Sequence, residues 1–453
     1  MPSRRPGARL AVRRTASVPP QENLAIHKAL GYNRGNDCFS DGSRSFSPAR
    51  VRWRATTLEM RGRLDVERLK TTVIDRVDSQ RAPLRELALR IHQNPELGFE
   101  ETRAAAWLTE YLAENGFSVE KGISGLPTAF RADYGEGRPA VALVAEYDAL
   151  PGVGHACGHN IICTSSVGAA VAVRPAASEL KGRIAVIGTP AEELHGGKII
   201  MATRGAFAGL DAAMIVHPGT GNSATTHALA CQNLDIEFFG KAAHASARPE
   251  RGVNALEAML QSFAALNSLR QHIRSTARIH GIITHGGQAP NIVPDYSAGK
   301  FMVRAEEDAY LDELQEKVLN CFKGAATATG ARLEYRWDEL RYAPMRNNMA
   351  LAELFAGNMQ RLGRQVRLID RSGAFGSTDM GNVSQLAPAI HATIAITSTE
   401  AQLHSPDFAA AAASDEAIDG LCDAAKALAM TAIDLLARPE KLAEVKEEFE
   451  RGT

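Results

Sequence analysis

The sequence predicts an α/β protein in which helices flank a mostly parallel sheet and an inserted ferredoxin-like α+β module interrupts the chain. Short apolar runs rich in β-branched residues recur along the sequence, as expected for strands buried on both faces of a parallel sheet. Helical stretches separate these runs, which indicates that helices cover both faces. The middle of the chain instead follows a β-α-β-β-α-β order, the succession of ferredoxin-like units.

The first regular element is helical and begins near Leu64, where apolar residues fall at spacings of three and four. Pro95 ends this helical region because proline cannot continue the hydrogen-bonded backbone. We expect a further helix over residues 101–115, since Gly116 follows in the position where helices favour a glycine cap.

Four apolar runs predict the strands of the parallel sheet: Ala140–Ala145, Ile184–Gly188, Ala212–Val216 and Ala392–Thr397. The helical stretches between the first of these runs are Ile161–Val173 and Gly197–Arg204. The inserted module has predicted strands at Leu229–Phe239, Arg278–Thr284, Tyr296–Ala305 and Ala331–Trp337, and predicted helices at Val253–Ile273 and Asp308–Thr329. We therefore predict one domain built from residues 60–227 and 343–453, with a second domain over residues 228–342.

The composition argues against several classes of partner. Apolar residues make up 45% and charged residues 23% of the 453 residues, which is ordinary for a globular protein of two or three domains. The formal net charge of -1 gives no reason to expect nucleic acid or a membrane surface as a partner. The six cysteines are scattered rather than dense, which favours reduced thiols and a cytoplasmic location.

Residues 1–59 form a basic N-terminal arm, with eleven Lys/Arg against four Asp/Glu and no hydrophobic period. This composition suits a disordered segment. Two alternatives stay open: an organelle-targeting leader, and an over-extended start that makes Met60 the first residue of the functional chain.

Each predicted strand of the parallel sheet is followed at once by side chains that bind metals. These segments are residues 146–148 with 155–160, residues 189–193, residues 217–219 and residues 403–406. Because the carboxyl ends of parallel strands meet at one edge of a sheet, we expect them to converge on one site. Thiolate, imidazole and carboxylate together suit zinc or manganese.

Two details of these segments fit catalysis. Gly158 relieves the backbone between Cys157 and His159, so both side chains can face inward. Two adjacent glutamates, Glu192 and Glu193, can divide the work: one binds metal while the other takes a proton from the metal-bound water that acts as the nucleophile.

The same segments resemble the aminoacylase/glutamate-carboxypeptidase family of dinuclear metallopeptidases. They read His-Ala-Cys-Gly-His-Asn at 155–160, Thr-Pro-Ala-Glu-Glu at 189–193, His-Pro-Gly at 217–219 and Leu-His-Ser-Pro at 403–406. The likeness covers residues 64–435 and is to the amidohydrolase branch, which includes auxin-conjugate hydrolases, N-acyl-amino-acid amidohydrolases and β-alanyl-lysine-type dipeptidases. Asn160 and the Glu-Tyr-Asp at 146–148, where many members have Asp and Asp-Met-Asp, match the dipeptidase members better.

The resemblance implies a role for each candidate residue. Two divalent metal ions, zinc or manganese, are held by Cys157, His159, Glu193, His217 and His404. Glu192 is the general base, and His244 polarises the scissile carbonyl from the inserted domain, which acts as a lid and forms a homodimer. The substrate is bound by Asn291, Arg304, Gly376 and Ser377. Asp148 orients a metal-bound histidine.

We therefore predict metal-dependent hydrolysis of an amide bond in N-acyl amino acids or small dipeptides. Two other functions stay open at this point. Cys157 could act as the nucleophile of a cysteine hydrolase with His155 or His159 as base. The chain could also be a catalytically silent dimeric protein that regulates through its metal site.

Overall fold

The computed structural model describes residues 65–369, 376–397 and 401–452. The basic arm over residues 1–59 and the possible start at Met60 lie outside these residues. The helices are residues 65–79 (α1), Arg81–His92 (α2), Thr102–Glu114 (α3), His159–Leu180 (α4), Glu192–His195 (α5), Gly197–Thr203 (α6), Ala255–Leu269 (α7), Asp308–Thr329 (α8), Met349–Arg361 (α9), Met380–Ser384 (α10), Pro406–Ala411 (α11), Asp415–Ala437 (α12) and Pro439–Arg451 (α13).

The strands form two separate sheets. They are Ser118–Lys121 (β1), Phe130–Tyr134 (β2), Ala140–Glu146 (β3), Arg183–Thr189 (β4), Ala212–Gly219 (β5), Ala230–Phe239 (β6), Arg278–His285 (β7), Tyr296–Ala305 (β8), Arg332–Trp337 (β9) and Ala389–Ala395 (β10). The six-stranded sheet has the order β1-β2-β4-β3-β5-β10. Strands β4, β3, β5 and β10 run parallel, while β1 and β2 are antiparallel additions that the apolar runs did not predict.

Strand β3 lies in the middle of this sheet and is buried along its whole length. Its alternate residues pack into two different cores. Leu143 belongs to the core formed with α1 to α4, α9 and α12, and Val144 belongs to the core formed with α6 and α10. Successive strand side chains point to opposite faces, so helices on both sides are needed to bury them. The predicted α/β class is confirmed.

Helix α4 is long and apolar enough to cross a membrane by composition alone, but 83% of its most apolar window is buried inside the protein. It packs against α12 on one side and strand β3 on the other. Its apolar character therefore reflects its place in the core.

The second sheet is antiparallel, with the order β7-β8-β6-β9. Helices α7 and α8 cover one face and form a separate core with it. Chain order and strand order together give the ferredoxin-like arrangement that the sequence predicts. We call this module, residues 228–342, the lid.

One predicted strand differs from the observed one in position. The apolar run predicts Ala392–Thr397, whereas β10 spans Ala389–Ala395. Pro388 lies directly before β10, and its carbonyl accepts the backbone N–H of Ala213 on β5. Register with β5 therefore decides where the strand begins, a long-range effect that the local pattern does not contain.

Candidate metal centre

The loop between β3 and α4 carries Cys157, and His159 is the first residue of α4. Gly158 between them has a φ of 77°, a conformation that residues with a Cβ rarely adopt. A Cβ at this position would lie 2.5 Å from Cγ of Pro218. Glycine therefore permits both the turn and the close approach to the end of β5, which carries His217.

The Sγ atom of Cys157 lies 3.3 Å from Nε2 of His217. The other ring nitrogen, Nδ1, lies 2.7 Å from the carbonyl oxygen of Pro218, which fits a donated hydrogen bond and leaves the lone pair on Nε2. Burial lowers the pKa of His217 to about 3, helped by His391 and His159. The imidazole is therefore neutral, which is the form that binds metals.

Asp148 fixes two candidate ligands at once. Its Oδ1 lies 2.9 Å from Nδ1 of His159, and its Oδ2 accepts the backbone N–H of Glu193 at 3.0 Å. The contact to Nδ1 turns Nε2 of His159 into the site, 3.7 Å from Oε1 of Glu193. Asp148 thus lies where a residue that orients a metal ligand is expected.

His404 approaches from the loop after β10. Its backbone has a φ of 67°, and its N–H donates to the carbonyl of Ala156 at 2.9 Å, which ties this loop to the one holding Cys157. Its Nε2 lies 3.5 Å from Oε2 of Glu193. The imidazole is half exposed and faces a cavity.

The five sequence-predicted ligands form two groups that share one atom. The ligand atoms of Cys157, His159 and His217 lie within 4.8 Å of one another, and so do those of Cys157, Glu193 and His404. The sulfur of Cys157 belongs to both groups. Among the described side chains, Nε2 of His159 and Oε1 of Glu193 are buried without a hydrogen-bond partner. Buried nitrogen and oxygen atoms without a hydrogen-bond partner are suited to bind metal ions, and two such groups of ligand atoms fit two divalent cations.

Glu192 lies beside these groups, and one of its oxygens is within 4.8 Å of ligand atoms of His159 and Glu193. Burial raises the pKa of Glu192, and the neighbouring carboxylates Glu146 and Asp379 raise it further. A carboxyl group with a raised pKa is suited to accept and return a proton.

The structure contains a buried ion cluster behind Glu192 that the sequence did not predict. The Nζ of Lys198 lies 2.6 Å from Oε1 of Glu146 and 2.6 Å from Oδ1 of Asp379, and none of the three side chains is exposed by more than 1%. Lys198 also donates its backbone N–H to Asp379 at 2.9 Å. The sequence offered one signal for a buried lysine: Lys198 follows two glycines and directly precedes the apolar run Ile199-Ile200-Met201.

A cavity of about 500 Å³ opens in front of the candidate ligands. Residues that line it include Cys157, Glu192, Glu193, His217, His227, Arg367, Gly376, Ser377, His391 and His404. His227, Arg367 and His391 were not predicted as site residues. Nothing in their local sequence distinguishes them, because their place in the wall depends on loops far apart in the chain.

The predicted substrate residues and the predicted catalytic residue His244 occupy two places. Nη1 of Arg304 on β8 donates to Oγ of Ser377 at 3.2 Å, so the lid contacts the loop that lines the cavity. His244 is exposed on the lid, and its Nδ1 accepts the backbone N–H of Ala247 at 3.3 Å. Asn291 lies next to it, since its carbonyl accepts the N–H of Ala245 at 3.0 Å. His244 and Asn291 are not among the residues lining the cavity in the part of the chain that the structure describes.

Sequence comparison relates this architecture to known proteins. The model of peptidase family M20/M25/M40 matches residues 142–431. The chain is 38% identical to the mouse Xaa-Arg dipeptidase over 401 residues, which cover 85% of this chain and 93% of that protein. It is 33% identical to one of the two subunits of the Escherichia coli p-aminobenzoyl-glutamate hydrolase, over 58% of this chain and 60% of that one.

Solved structures share the fold. A putative aminohydrolase from Staphylococcus aureus aligns with a TM-score of 0.71 at 20% identity, covering 81% of this chain and all of that one. A Bacillus subtilis protein described as a dinuclear metal-binding peptidase of the M20 family aligns with a TM-score of 0.64 at 22% identity, covering 79% of this chain and 99% of that one.

Proposed function

Because the chain belongs to peptidase family M20/M25/M40 and is therefore a hydrolase of amide bonds, we propose that the cavity beside Cys157 is its active site. The observation that carries this proposal is the pair of ligand groups that share the sulfur of Cys157, with Glu192 next to them.

In this proposal the residues of the two ligand groups would hold two divalent cations. Cys157, His159 and His217 would supply ligands for one, and Cys157, Glu193 and His404 for the other. Zinc or manganese suits this mixture of sulfur, nitrogen and oxygen ligands. When bound, the cations supply a Lewis acid for the scissile carbonyl and make water more acidic.

The side chains supply the remaining chemistry. Glu192 takes a proton from water at its carboxylate and returns it to the leaving nitrogen, so that an acid and an amine result. Asp148 keeps His159 in the tautomer and orientation needed at the site. Movement of the lid would bring His244 to the carbonyl oxygen as a hydrogen-bond donor and would exclude bulk water.

The proposed substrate is an N-acyl amino acid or a small dipeptide, in keeping with the dipeptidase and p-aminobenzoyl-glutamate hydrolase relatives. Gly376 and Ser377 in the cavity wall, with Arg304 behind Ser377, would contact its main chain, and Asn291 would join after lid closure. Arg367 is a second candidate for holding a carboxylate, because it lines the cavity and no acidic side chain pairs with it in the described residues. We further propose a cytoplasmic homodimer that associates through the lid.

Replacement of Glu192 by Gln tests the mechanism. We expect kcat for a panel of N-acyl amino acids and dipeptides to fall by about 10²- to 10⁴-fold, because the amide cannot accept the proton. Metal content of the purified variant should stay at the wild-type level. Glu110→Gln, an exposed change on α3, is the control and should leave kcat unaltered. Full turnover by the Glu192→Gln variant would refute the proposed base.

Chelation separates this mechanism from the two alternatives. Loss of activity with EDTA and its return with zinc or manganese supports the metal mechanism, whereas a cysteine hydrolase keeps its activity. Among the described residues, neither ring nitrogen of His155 has a hydrogen-bond partner, so this histidine is not paired with Cys157 as a base would be. A silent metal-binding protein would turn over nothing in either condition.

A further inference from the structure

The buried carboxylate of Glu101 lies behind the turn at residues 191–195, which contains Glu192 and Glu193. It has no role in the proposed chemistry. Its side chain has no solvent exposure. It accepts two hydrogen bonds: the backbone N–H of Ala191 at 2.8 Å on Oε1, and the hydroxyl of Thr128 at 2.9 Å on Oε2. Burial raises its pKa to about 7, with a smaller contribution from Asp148. Keeping a carboxyl group in such a place costs free energy, which the two hydrogen bonds offset in part.

Ala191 is the residue immediately before Glu192, and its backbone is in an unfavourable conformation. Its φ of 59° and ψ of 45° are left-handed, a conformation that is unfavourable for a residue with a Cβ. The carbonyl of Ala191 accepts the backbone N–H groups of His195 and Gly197 at 3.3 and 3.2 Å. The turn therefore depends on hydrogen bonds to both the N–H and the carbonyl of this one residue.

Two more contacts join the same two segments. The rings of Phe99 and His195 stack with centroids 5.4 Å apart, at an angle of 19°. Gly98 lies so close that a Cβ there would be 2.8 Å from the Cβ of Ala191. We call residues 98–101 the clamp segment, because three of its four residues contact the turn at 191–195.

We propose that Glu101 is a positioning residue: by holding the N–H of Ala191 it keeps the left-handed turn that aims Glu192 and Glu193 into the site. This inference rests on the proposed function for the catalytic effect, although the hydrogen bond can be tested without any activity. Loss of the bond lets Ala191 relax towards right-handed backbone angles, and the two carboxylates that follow then turn away from the ligand groups. The proton-transfer step suffers most, since Glu192 must meet its water at a fixed angle.

Five variants test this positioning role: Glu101→Ala, Glu101→Gln, Thr128→Val, Ala191→Gly and the double variant of Glu101→Ala with Ala191→Gly. We expect Glu101→Ala to lower kcat by about 10- to 100-fold with KM within about twofold, the size of effect expected when a buried N–H loses its hydrogen-bond partner. Glu101→Gln keeps a weaker acceptor and should lower kcat by about fivefold. Thr128→Val removes the other hydrogen bond of Glu101 and is the matched control, with kcat within about threefold of wild type.

The double variant separates positioning from packing. Glycine adopts left-handed angles freely, so Ala191→Gly lessens the need for the clamp. We expect the double variant to be at least about fivefold more active than Glu101→Ala alone. A residue that only fills space behind the turn would give no such recovery, so equal activity of these two variants overturns the inference.

Hydrogen exchange provides a readout that does not depend on turnover. We expect the Ala191 amide to exchange about tenfold or more faster in Glu101→Ala and about fivefold faster in Glu101→Gln, with no change in Thr128→Val. Unchanged exchange in both Glu101 variants refutes the proposal. If Glu101→Ala does not fold, the isosteric Glu101→Gln decides by exchange and kcat together. If the wild type hydrolyses no amide, the proposed function fails while the exchange result still stands.

Discussion

The ammonium group of Lys198 neutralises part of a buried group of carboxylates formed by Glu146, Asp379 and Glu192. Burial opposes its charge, but Asp379, Glu146 and Glu192 together raise the pKa of Lys198 above its ordinary value, so it stays ionised. Removal of one partner from a buried ion network leaves the others uncompensated. The net effect of the cluster is to keep the carboxylates behind the site in one arrangement.

Replacing Lys198 by Met therefore destabilises the protein. We expect the free energy of unfolding to fall by about 3–5 kcal/mol, because two carboxylates lose their buried counter-ion. Denaturant titration followed by circular dichroism measures this change. Lys323→Met, an exposed change on α8, is the control and should fall within about 0.5 kcal/mol of wild type. Equal stability of the two variants would contradict the role assigned to the cluster.

Arg367 is held at the cavity by its backbone, and no ion pair fixes its side chain among the residues that the structure describes. Its N–H donates to the carbonyl of Asn222 at 3.1 Å, and its own carbonyl accepts the N–H of Ala224 at 2.9 Å. Its Nη2 lies beside Gly221, where an added Cβ would be 3.3 Å away, and Gly221 follows His217 of β5 by four residues. Four residues span at most about 14 Å, so the guanidinium lies within reach of the space where a small substrate would bind beside the two ligand groups.

We expect Arg367→Gln to reduce selectivity for acidic substrates. The ratio of kcat/KM for an N-acyl amino acid to that for its carboxamide should fall by about 10- to 100-fold, because a charge-assisted bidentate hydrogen bond is lost. A second pair, an N-succinyl and an N-butyryl amino acid, tells whether the carboxylate belongs to the acyl side. Arg85→Gln, which changes an exposed arginine outside the cavity, should leave both ratios as they are. Unchanged ratios in Arg367→Gln would remove this residue from substrate binding.

At the scale of elements, the beginning of α4 couples the two candidate ligand groups to the sheet. The helix starts directly after Gly158, and Pro218 at the end of β5 fills the space where a side chain would lie. The backbone of Gly158, directly before the helix, therefore packs against the ring of Pro218 at the end of the strand. This contact brings Cys157 close to His217. A larger residue at position 158 would push these two ligands apart.

Gly158→Ala should weaken metal binding as well as stability. We expect the dissociation constant for zinc, measured by titration calorimetry, to rise by about tenfold or more, since displaced ligands lose their geometry. Gly330→Ala is a matched control: its φ of 75° is equally left-handed, but no atom lies within 4 Å of the added Cβ. Both variants should lose about 1–2 kcal/mol of stability through backbone strain, and only Gly158→Ala should change metal affinity. Wild-type affinity in Gly158→Ala would contradict this coupling.

At the scale of the whole molecule, the two candidate ligand groups bring together segments that are distant in the chain. Cys157 and His159 precede the lid in the chain and His404 follows it, so more than two hundred residues lie between these candidate ligands. Ions bound across such a gap stabilise the folded state because the unfolded chain has no preformed site. The lid itself contributes no side chain to the two ligand groups.

Addition of zinc to the metal-depleted protein should therefore raise its stability. At a free concentration 100 times the dissociation constant, we expect a gain of about 2.7 kcal/mol per site in the free energy of unfolding. Cys157→Ser should lose most of this gain, because its sulfur belongs to both groups. His272→Ala, an exposed histidine of the lid, should keep all of it. An equal gain in wild type and Cys157→Ser would argue against a shared sulfur ligand.

Local patterns in the sequence were enough for much of this architecture. Strands β3, β4 and β5 and helices α4 and α6 follow from the apolar runs and the helical stretches between them, because those signals report on backbone geometry within a few residues. The convergence of Cys157, His159, Glu193, His217 and His404 was also predictable, since the carboxyl ends of neighbouring parallel strands share one edge. Their roles as metal ligands stay a prediction until metal analysis is done.

Only the tertiary structure revealed the contacts that connect distant segments. The hydrogen bond between Glu101 and Ala191 joins residues 90 positions apart in the sequence. The ion pair between Lys198 and Asp379 joins residues 181 positions apart. No local period distinguishes these side chains from others of their type. Amino-acid order determined which elements form and which strand ends carry reactive groups. Packing determined which buried charged groups come into contact. The energy of their interaction depends on the distance between them in three dimensions and on the exclusion of water.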